Sequence, residues 1–589
     1  MLGRGAETIV TRAHAAGGES LARASTPVCR RVVGRSQHNL RARFVRTEAC
    51  DLASVLLFAT LILLVGFTFR DYAISNDEEV QQRYGELIIL YYASGFADQS
   101  LFHFRDLYLY GGLFDLLAVG LERLIPVDPY AVRHLLSALI GVGGIAATWA
   151  TARAVGGPRA GFLAAAALAV CGVWYGAMFN HTKDIPFAAA MMAAVYVLLR
   201  LGRELPRPRW HLIIAFGIAC GCALGIRVFG LFLIGYALLA VAILTPVGGR
   251  ATWRRVLDFA ARSAIPLAAA FAIAYPIMIA AWPWAGLEPL NPLRALSAFA
   301  QFHYPINTVL DGRVYRMADV PRWYVPTYIA IKLTLPLLAG AGLALLFTML
   351  QERCSPAASV RRKEVTLIAL AALLPLVCDV AIRGPADTGM RHFLFIVPPI
   401  AVLAGLGLDG ALNRLETASR LAAAAGLAIV LMSFGWNATT LYRLHPQEYL
   451  FYNPLVGGLA GASRRYATDY WVNIMPEAVG DLERFLDRTE RGANEKSLRR
   501  HYLVFVCGER LPFEKEAGAR LEWTRDRDRA EFFIAPTHMN CDRMLGGRVV
   551  ATIERLGVVI GVVKDRRAVM ARAAPAYGGA GPSIQSAIP

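Results

Sequence analysis

The chain has 589 residues, of which 56% are hydrophobic and 18% are charged, and its mean hydropathy is +0.43. Soluble domains are rarely so apolar, and many of the apolar segments are long enough to cross about 30 Å of hydrocarbon. The formal net charge is +17, but most arginines lie in short segments between the apolar ones, as in cytoplasmic loops. The composition therefore predicts a polytopic membrane protein and argues against a soluble domain or a nucleic-acid-binding protein.

The first fifty residues contain nine Arg and three Glu and lack Lys. No apolar segment precedes residue 52, so the sequence does not predict a cleavable signal peptide. An Arg-rich, acid-poor leader also matches an organellar transit peptide. We interpret residues 1–50 instead as a disordered cytoplasmic tail whose positive charge fixes the orientation of the first span.

Residues 52–69 form the first predicted span, which places residues 71–130 outside. This exported stretch holds ten acidic residues and three Arg. Within it, residues 107–125 are nearly long enough to cross the membrane, but they carry three charged side chains. We therefore predict a helix lying on the membrane surface.

Ten more spans follow from hydropathy, and every predicted cytoplasmic loop between them is then net positive. We expect an all-α transmembrane domain of about 11 helices at 51–437. An extracytoplasmic α/β domain is expected at 438–569, and a disordered tail rich in Ala, Gly and Pro at 570–589. The further spans are predicted at 131–152, 160–179, 185–201, 210–227, 228–245, 263–284, 324–350, 365–383, 393–411 and 420–437.

The small C-terminal domain is predicted from local patterns. "EAVGDLERFLDR" (477–488) places its apolar residues on one helical face. "YLVFVC" (502–507) and "AEFFIA" (530–535) read as strands, and "VVATIERLGVVIGVVK" (549–564) reads as two more joined by a turn near Leu556 and Gly557.

Unusual polar residues collect on the predicted outer face. Charged groups beside a bilayer are costly unless they pair or act chemically, so their clustering favours a functional site. The first exported loop contributes Asp77, Glu78 and Glu79. The next outer loops contribute Asn180, His181, Lys183, Asp184 and Arg227. The outer loops at 286–323 and 384–392 contribute His303, Tyr304, Arg313, Tyr315, Arg316, Arg322, Arg391 and His392.

Each of these residues also has a structural interpretation. Glu79 is equally well a solvated loop acid, and Lys183–Asp184 would serve as an interfacial anchor and helix N-cap. Arg227 would extend its side chain to the interface, and His181 alone is more often a structural hydrogen-bonding group. The sequence contains no zinc-ligand spacing, no phosphate-binding P-loop and no nucleophile elbow.

The order of these features resembles the GT-C fold and, more narrowly, glycosyltransferase family 39, the protein O-mannosyltransferase and aminoarabinose-transferase superfamily. "SNDEE" (75–79) resembles the family's acidic first-loop motif, and "NHTKDIP" (180–186) resembles its second acidic motif. "GMRHFLFIVPPIAVLAGLG" (389–407) is similar to the Arg-aromatic stretch that opens a late span. Residues 445–471 resemble a segment that follows the last span in a bacterial subgroup.

The resemblance also has a departure. Many relatives carry a Pro-Pro or Lys-Pro-Pro element before the surface helix, whereas this chain reads "FHFRDLYLYGG" (102–112). Arg105 is the residue there that would replace a contact with the donor phosphate.

The resemblance implies transfer of a sugar from a polyprenyl-phosphate donor to an acceptor on the outer face of the plasma (inner) membrane. The acceptor would be a lipid, a glycan or a protein. An attacking hydroxyl needs a carboxylate base, and the departing phosphate needs Arg or Lys. We assign Asp77 as the base or as the carboxylate that positions the acceptor, supported by Glu78, with Asp184 as the second acidic group.

Arg391, Lys183, Arg227 and Arg105 are the predicted phosphate-binding residues, and His181, His392 and Tyr304 are further substrate-binding candidates. The sequence requires no cofactor, although a divalent Mg, Mn or Zn ion bridging Asp77 and Asp184 is compatible with it. A polytopic lipid transporter or flippase is the alternative function, and a catalytically silent scaffold is a third.

A disulfide between Cys507 and Cys541 is also predicted. Of the nine cysteines, these are the only two in the predicted outer domain, where the compartment is oxidising. Two buried free thiols are the alternative.

Overall fold

The computed structural model describes residues 40–180, 182–245, 253–301, 306–350, 356–384, 388–490 and 500–573. Most of these residues are helical, and a small sheet lies near the C-terminal end. The longer α-helices are Leu40–Thr68, Glu78–Ala93, Leu113–Glu122, Pro129–Gly156, Pro158–Ala169, Asp184–Gly202, Trp210–Leu224, Phe232–Leu244, Trp253–Ala281, Asn291–Ala300, Tyr324–Lys332, Leu335–Leu350, Pro356–Ile382, Val397–Ala418, Arg420–Leu444 and Met475–Thr489.

The described helices confirm the polytopic architecture. Seven helices are long and apolar enough to cross a membrane. Two further segments meet the same criterion of length and hydropathy only when the two helices on either side of a bend are taken together. Two shorter apolar helices, Trp210–Leu224 and Val228–Leu244, lie between them. The described residues thus contain seven to nine segments that pass as spans, fewer than the eleven predicted, because the segments predicted at 210–227 and 228–245 form only these shorter helices. The helix predicted within 107–125 is the ten-residue helix Leu113–Glu122.

Two predicted spans need correction. The span predicted at 160–179 is broken, because Pro158–Ala169 and Gly172–Asn180 meet at a bend of 65°. Residues 324–350 are not one helix, because Tyr324–Lys332 and Leu335–Leu350 meet at a bend of 110°. The second residue of the later helix is Pro336, which cannot donate a backbone hydrogen bond and clashes with the preceding turn. The bend leaves carbonyl groups without helical partners, and the Asn453 side-chain amide donates to those of Ala330 and Leu333 at 2.7 and 2.8 Å.

The surface helix is fixed by two consecutive glycines before it. The Gly112 amide donates to the Ala281 carbonyl oxygen and the Leu113 amide to the Gly225 carbonyl oxygen, both at 2.9 Å. A Cβ atom on Gly111 would lie 2.1 Å from the Gly225 carbonyl oxygen, so no larger residue fits. This close approach positions Tyr110, which precedes the glycines, between the first exported loop and the fifth span.

The C-terminal region forms a mixed five-stranded sheet, which confirms that this part of the chain contains a small sheet. The strand order is β4-β3-β5-β7-β6, with β3 parallel to both neighbours and β7 antiparallel to both of its own. A separate hairpin pairs β1 with β2. The strands are β1 Asn307–Leu310, β2 Arg313–Arg316, β3 Tyr502–Val506, β4 Leu521–Trp523, β5 Phe532–Pro536, β6 Arg548–Arg555 and β7 Val558–Asp565.

The predicted strands are all present, whereas β1, β2 and β4 were not predicted. The turn between β6 and β7 has positive φ at Leu556 (50°) and Gly557 (74°), which suits a tight hairpin. The helix Met475–Thr489 packs its buried residues Val479, Leu482 and Leu486 against this sheet. One continuous apolar core includes residues of the spans and of the sheet, so the two regions are packed together.

Candidate active site

A cavity of about 690 Å³ lies where the loop after the first span meets the starts of the fourth and tenth spans. One part of its wall is polar and carries both signs of charge. Its cations are Arg105, Lys183, Arg227 and Arg391, its carboxylates are Asp77, Asp106, Asp379 and Glu509, and His392 also belongs to it. The other part is apolar, with Phe229, Phe232, Phe299, Pro375, Ile382 and Phe395. The structure therefore brings together one predicted acid, all four predicted phosphate-binding residues and a surface suited to a hydrocarbon chain.

Arg391 is the central residue of the polar wall. Its Nε donates to Asp184 Oδ2 at 2.9 Å, and its Nη2 contacts Asp77 Oδ2. The Arg391 and Asp184 side chains are 11% and 3% exposed, whereas that of Asp77 is 42% exposed. Asp77 is thus the carboxylate that faces the cavity, and Asp184 lies beneath it.

Asp184 holds two guanidinium groups at once, because Arg227 Nη2 contacts its other oxygen, Oδ1. The residue begins the fourth span, and Arg227 lies at the break between the fifth and sixth spans. A buried carboxylate with two cationic neighbours is an anchor for those cations. Asp184 was predicted as the second acidic group, and the structure places it against two guanidinium groups, 3% exposed and outside the cavity lining.

Trp471 covers Arg391 from the side of the C-terminal region. The Arg391 guanidinium carbon lies 4.3 Å from the centre of the Trp471 ring, a distance typical of a cation–π contact. Trp471 is buried, and with Tyr470 and Glu509 it lines the cavity. The Asn76 side chain joins the two regions, donating to the Tyr470 carbonyl oxygen at 3.2 Å.

Lys183 lies between two aromatic rings. Its ammonium is 4.8 Å from the centre of the Tyr110 ring and 5.4 Å from that of Tyr84. Burial lowers the pKa of Lys183, while Asp115 Oδ2, at 3.6 Å, opposes this. Lys183 is therefore held at the cavity wall in a partly desolvated environment.

A second buried ion pair supports this lysine. Arg133 Nη2 donates to Asp115 Oδ1 at 2.7 Å, with both side chains almost completely buried. The guanidinium also donates to the amide oxygens of Gln82 and Gln81, at 3.2 and 3.4 Å. Asp115 belongs to the surface helix, so this network fixes that helix to the first exported loop and to the second span.

Glu78 lies away from the cavity. Its carboxylate accepts a hydrogen bond from the Ser75 amide at 2.6 Å and contacts His134 Nε2 at 3.0 Å. Because Glu78 is completely buried, it lies in the interior, and this placement does not fit the predicted supporting role beside Asp77. Adjacent residues at a helix start point in different directions, and here only Asp77 faces the cavity.

The remaining candidates differ in placement. Arg105 is exposed and lines the cavity with a positive φ of 51°. His392 also lines it. His181 and Tyr304 lie outside the described residues.

The arrangement of the two carboxylates does not fit a divalent ion at Asp77 and Asp184. Arg391 binds both carboxylates, so a guanidinium occupies the position that a bridging metal would take. Among the described residues, no group of three or more His, Cys, Asp or Glu side chains is arranged to hold a metal ion.

Several residues of the cavity were not predicted from the sequence. Three of them are aromatic: Tyr110 lies in a loop, and Tyr470 and Trp471 lie in the C-terminal segment. Two more, Cys378 and Asp379, lie near the end of the ninth span. Asp379 carries a signal that could have identified it, because a carboxylate within an apolar span is costly. The aromatic contacts depend on tertiary packing and leave no such signal.

Cys507 and Cys541 form a disulfide bond in the structure, with their Cα atoms 6.5 Å apart. Cys507 follows β3 and Cys541 lies in the turn between β5 and β6. Glu509, at the rim of the cavity, is two residues from this bond.

Residues 123–279 match a family described as dolichyl-phosphate-mannose-protein mannosyltransferase. The matched segment includes Lys183, Asp184 and Arg227 but neither Asp77 nor Arg391. No curated protein sequence matches the chain.

Several solved structures of low sequence identity are similar. ArnT from Cupriavidus metallidurans bound to undecaprenyl phosphate has 16% identity and a TM-score of 0.46, covering 90% of this chain and 99% of that chain. An Archaeoglobus fulgidus oligosaccharyltransferase in complex with Zn and sulfate has 13% identity and a TM-score of 0.41, covering 82% of this chain and 67% of that chain. The arabinofuranosyltransferase AftD from Mycobacteria has 13% identity and a TM-score of 0.39, covering 88% of this chain and 41% of that chain.

The family match lies in the spans and loops that supply two charged residues of the cavity wall, Lys183 and Arg227, and the Asp184 carboxylate that contacts Arg227. It includes "NHTKDIP", the second of the acidic motifs quoted from the sequence. The match confirms the resemblance of this chain to glycosyltransferase family 39.

Proposed function

We propose that the protein is a membrane glycosyltransferase that moves a sugar from a polyprenyl-phosphate donor to a lipid, glycan or protein acceptor on the extracytoplasmic face. The observation that carries this proposal is the cavity, which combines four cationic side chains, an apolar wall and several carboxylates, of which Asp77 contacts Arg391. The cations suit a phosphate, the apolar wall suits a polyprenyl chain, and the carboxylate suits a general base. The family match supports the same reaction class.

In this proposal the acceptor hydroxyl transfers its proton to Asp77 as its oxygen attacks the anomeric carbon. The bond between that carbon and the phosphate oxygen breaks, and its electron pair remains on the phosphate. Arg391, Arg227 and Lys183 stabilise the negative charge that the phosphate gains. A carboxylate holds each of these three cations in place. Asp184 contacts the two arginines, and Asp115 contacts the lysine.

The contact between Arg391 and Asp77 has a consequence for the order of events. A donor phosphate competes with Asp77 for the Arg391 guanidinium, while Asp184 keeps that guanidinium in place. Binding of the donor would therefore free the Asp77 carboxylate to accept a proton from the acceptor. Occupation of the phosphate site and activation of the base are coupled through one side chain.

The positions of the charged residues favour an enzyme over a transporter. Asp77 precedes the helix Glu78–Ala93, Asp184 begins the fourth span and Arg391 begins the tenth. Charges at the ends of spans suit chemistry at a membrane surface, whereas a transporter places its binding groups near the midplane. That this surface is the extracytoplasmic side of the plasma membrane is part of what we propose.

Cys378 allows a direct test of lipid binding. It is a free, partly buried cysteine on the apolar wall of the cavity. Undecaprenyl phosphate should slow alkylation of Cys378 in the purified full chain. Cys222 is also free and partly buried but does not line the cavity, so its alkylation should be unaffected. Equal slowing of both cysteines, or of neither, would contradict a lipid site here.

The reaction itself is tested in cells. Membrane glycolipids and glycoproteins from a strain lacking the chain are compared by mass spectrometry with those of the parent strain. We expect at least one glycoconjugate to lose a sugar and the corresponding lipid-linked donor to accumulate. Identical profiles in the two strains would refute the proposed function.

A further inference from the structure

A second cavity, of about 520 Å³, lies at the opposite end of the helices from the candidate active site. The helix Asp184–Gly202 joins the two cavities, because it begins at the carboxylate that holds Arg391 and ends, about 27 Å further on, at Gly202 in the second lining. The helices Val228–Leu244 and Pro356–Ile382 also contribute residues to both cavities, one at each end. Among the described residues, the two linings have no member in common.

Two tryptophans indicate that the second cavity lies at the level of the lipid headgroups. Trp210 and Trp253 each begin a helix at this end of the molecule, and both side chains are largely exposed. Trp is enriched where the hydrocarbon of a membrane meets water. Phe259, which follows Trp253 on the same helix, lines the cavity, so the lining extends from this interface towards the hydrocarbon.

The lining combines an apolar wall with a charged group of residues. Arg203 Nε donates to Glu364 Oε1, and Arg203 Nη2 donates to the Ala154 carbonyl oxygen at 2.9 Å. This ion pair is neutral, and among the described residues Lys363 has no ion-pair partner, so Lys363 carries the unmatched charge of the lining. The apolar wall consists of Leu199, Leu205, Ile243, Leu244, Phe259 and Leu367.

The surroundings of the cavity are also positively charged. Residues 200–209 and 359–364, which supply all of its charged lining, hold seven Arg and Lys residues against two Glu. Basic groups at a bilayer surface attract anionic headgroups, whereas a zwitterionic headgroup has no net charge for them to neutralise. The charge of this region therefore favours an anionic lipid over a zwitterionic one.

We propose that the second cavity binds an anionic glycerophospholipid of the surrounding bilayer, with its phosphate at Lys363 and Arg203 and the first part of one acyl chain on the apolar wall. Arg203 has five N–H groups, and its two protein partners leave others for the phosphate. The volume lies within the range of small-molecule pockets, roughly 300–1,000 Å³. Val360, which is 46% exposed, lies at the rim, so the remainder of the lipid stays in the bilayer. This site does not rest on the proposed sugar transfer.

Photocrosslinking provides the first test. The full chain is reconstituted in phosphatidylcholine with a small share of phosphatidylglycerol that carries a photoreactive group in one acyl chain, near the glycerol. We expect crosslinks to the peptides that contain Ile243, Phe259 and Leu367. The same photoreactive chain on phosphatidylcholine should give much weaker crosslinks to these peptides. Equal crosslinking by the two lipids, or none by either, would overturn the proposal.

Native mass spectrometry of the full chain, titrated with phosphatidylglycerol, provides the second test. Lys363→Gln should lower the affinity for this lipid by about fivefold, because one cation beside the phosphate is lost. Arg254→Gln is the matched control, since Arg254 is exposed at the same end of the molecule but does not line the cavity. This variant should bind nearly as well as the parent. Equal losses in the two variants would refute a specific site, because the attraction would then be general.

Two further measurements restrict the site to this cavity and to this lipid. Val360→Trp fills the rim without changing the charge, so it should also weaken phosphatidylglycerol binding, and parent-like binding by this variant would contradict the site. Undecaprenyl phosphate, added to the parent, should leave phosphatidylglycerol bound. Displacement would identify the second cavity as a polyprenyl-phosphate site instead. If Lys363→Gln is not recovered in folded form, the crosslinks of the parent decide the question.

Discussion

Asp77 is the residue on which the proposed chemistry depends most directly. A base needs a negative charge, so Asp77→Asn should lower sugar transfer by about 10²–10⁴-fold. A base also needs the correct side-chain length, so Asp77→Glu should be largely inactive as well. Folding stability should change little, because the side chain is 42% exposed. Transfer is measured with purified protein and lipid-linked donor.

Glu79→Gln is the matched control for this substitution. Glu79 is exposed and does not line the cavity, so this variant should retain nearly normal transfer. Undecaprenyl phosphate should still protect Cys378 in Asp77→Asn, since the phosphate contacts come from other residues. Parent-like turnover by Asp77→Asn would remove Asp77 from the mechanism.

His445 should make stability depend on pH. Its Nδ1 lies 2.8 Å from Glu448 Oε1, and its Nε2 lies 3.0 Å from Asp71 Oδ2. Burial lowers the pKa of His445, but the two hydrogen bonds outweigh it, so the folded-state pKa is raised. The stabilisation is therefore fully present below the unfolded pKa of about 6.5, and it is lost as pH rises through the raised folded value.

The corresponding measurement is the thermal midpoint across this pH range. As the pH rises above about 6.5, the midpoint of the parent should fall more steeply than that of His445→Gln. Tyr72 also donates to Glu448, at 3.0 Å, so the glutamate keeps one partner in the variant. Parallel pH profiles for the two proteins would show that His445 contributes no pH-dependent stability.

At this residue scale, the sequence located the charged groups but not their contacts. Arg391 lies 314 residues from Asp77 and 207 from Asp184, yet all three could be predicted because charges at the ends of spans are costly unless they act. The distinction between Asp77 and Glu78 could not be predicted, because it depends on how the helix that follows is oriented. The Trp471 contact is tertiary and leaves no local pattern.

Among the elements, the spans were the most predictable, because a long apolar segment has few alternatives to crossing the membrane. The bend at Lys332 was not predicted, since hydropathy is continuous across residues 324–350 while the backbone is not. The strands β3, β5, β6 and β7 were predicted from their apolar residues and flanking turns. β4 has only three residues, too few to show an alternating pattern.

The orientation of these elements is a prediction that labelling can test. An engineered cysteine at Glu522, which is exposed on β4, should react with a membrane-impermeant thiol reagent in intact cells. One at Arg207, in a predicted cytoplasmic loop, should react only after permeabilisation. The background protein lacks Cys378, whose thiol lines the cavity. The opposite pattern of labelling would reverse the proposed topology.

For the whole molecule, the disulfide predicts a thiol count. With Cys507 and Cys541 joined, the denatured protein should have seven reactive thiols without reductant and nine with it. Reduction should also weaken sugar transfer, because the bond fixes the strand end that leads to Glu509 at the rim of the cavity. Equal thiol counts in both conditions would exclude the bond.

The cavity wall combines early and late parts of the chain, and this has a consequence for biosynthesis. Asp77 enters the membrane with the first span, whereas Trp471 and Glu509 follow the last span, and β7, which pairs with both β5 and β6, ends only at Asp565. A nascent chain that has completed every span still lacks one side of its cavity. The cavity is therefore completed only after the C-terminal segment has been synthesised and has packed against the spans.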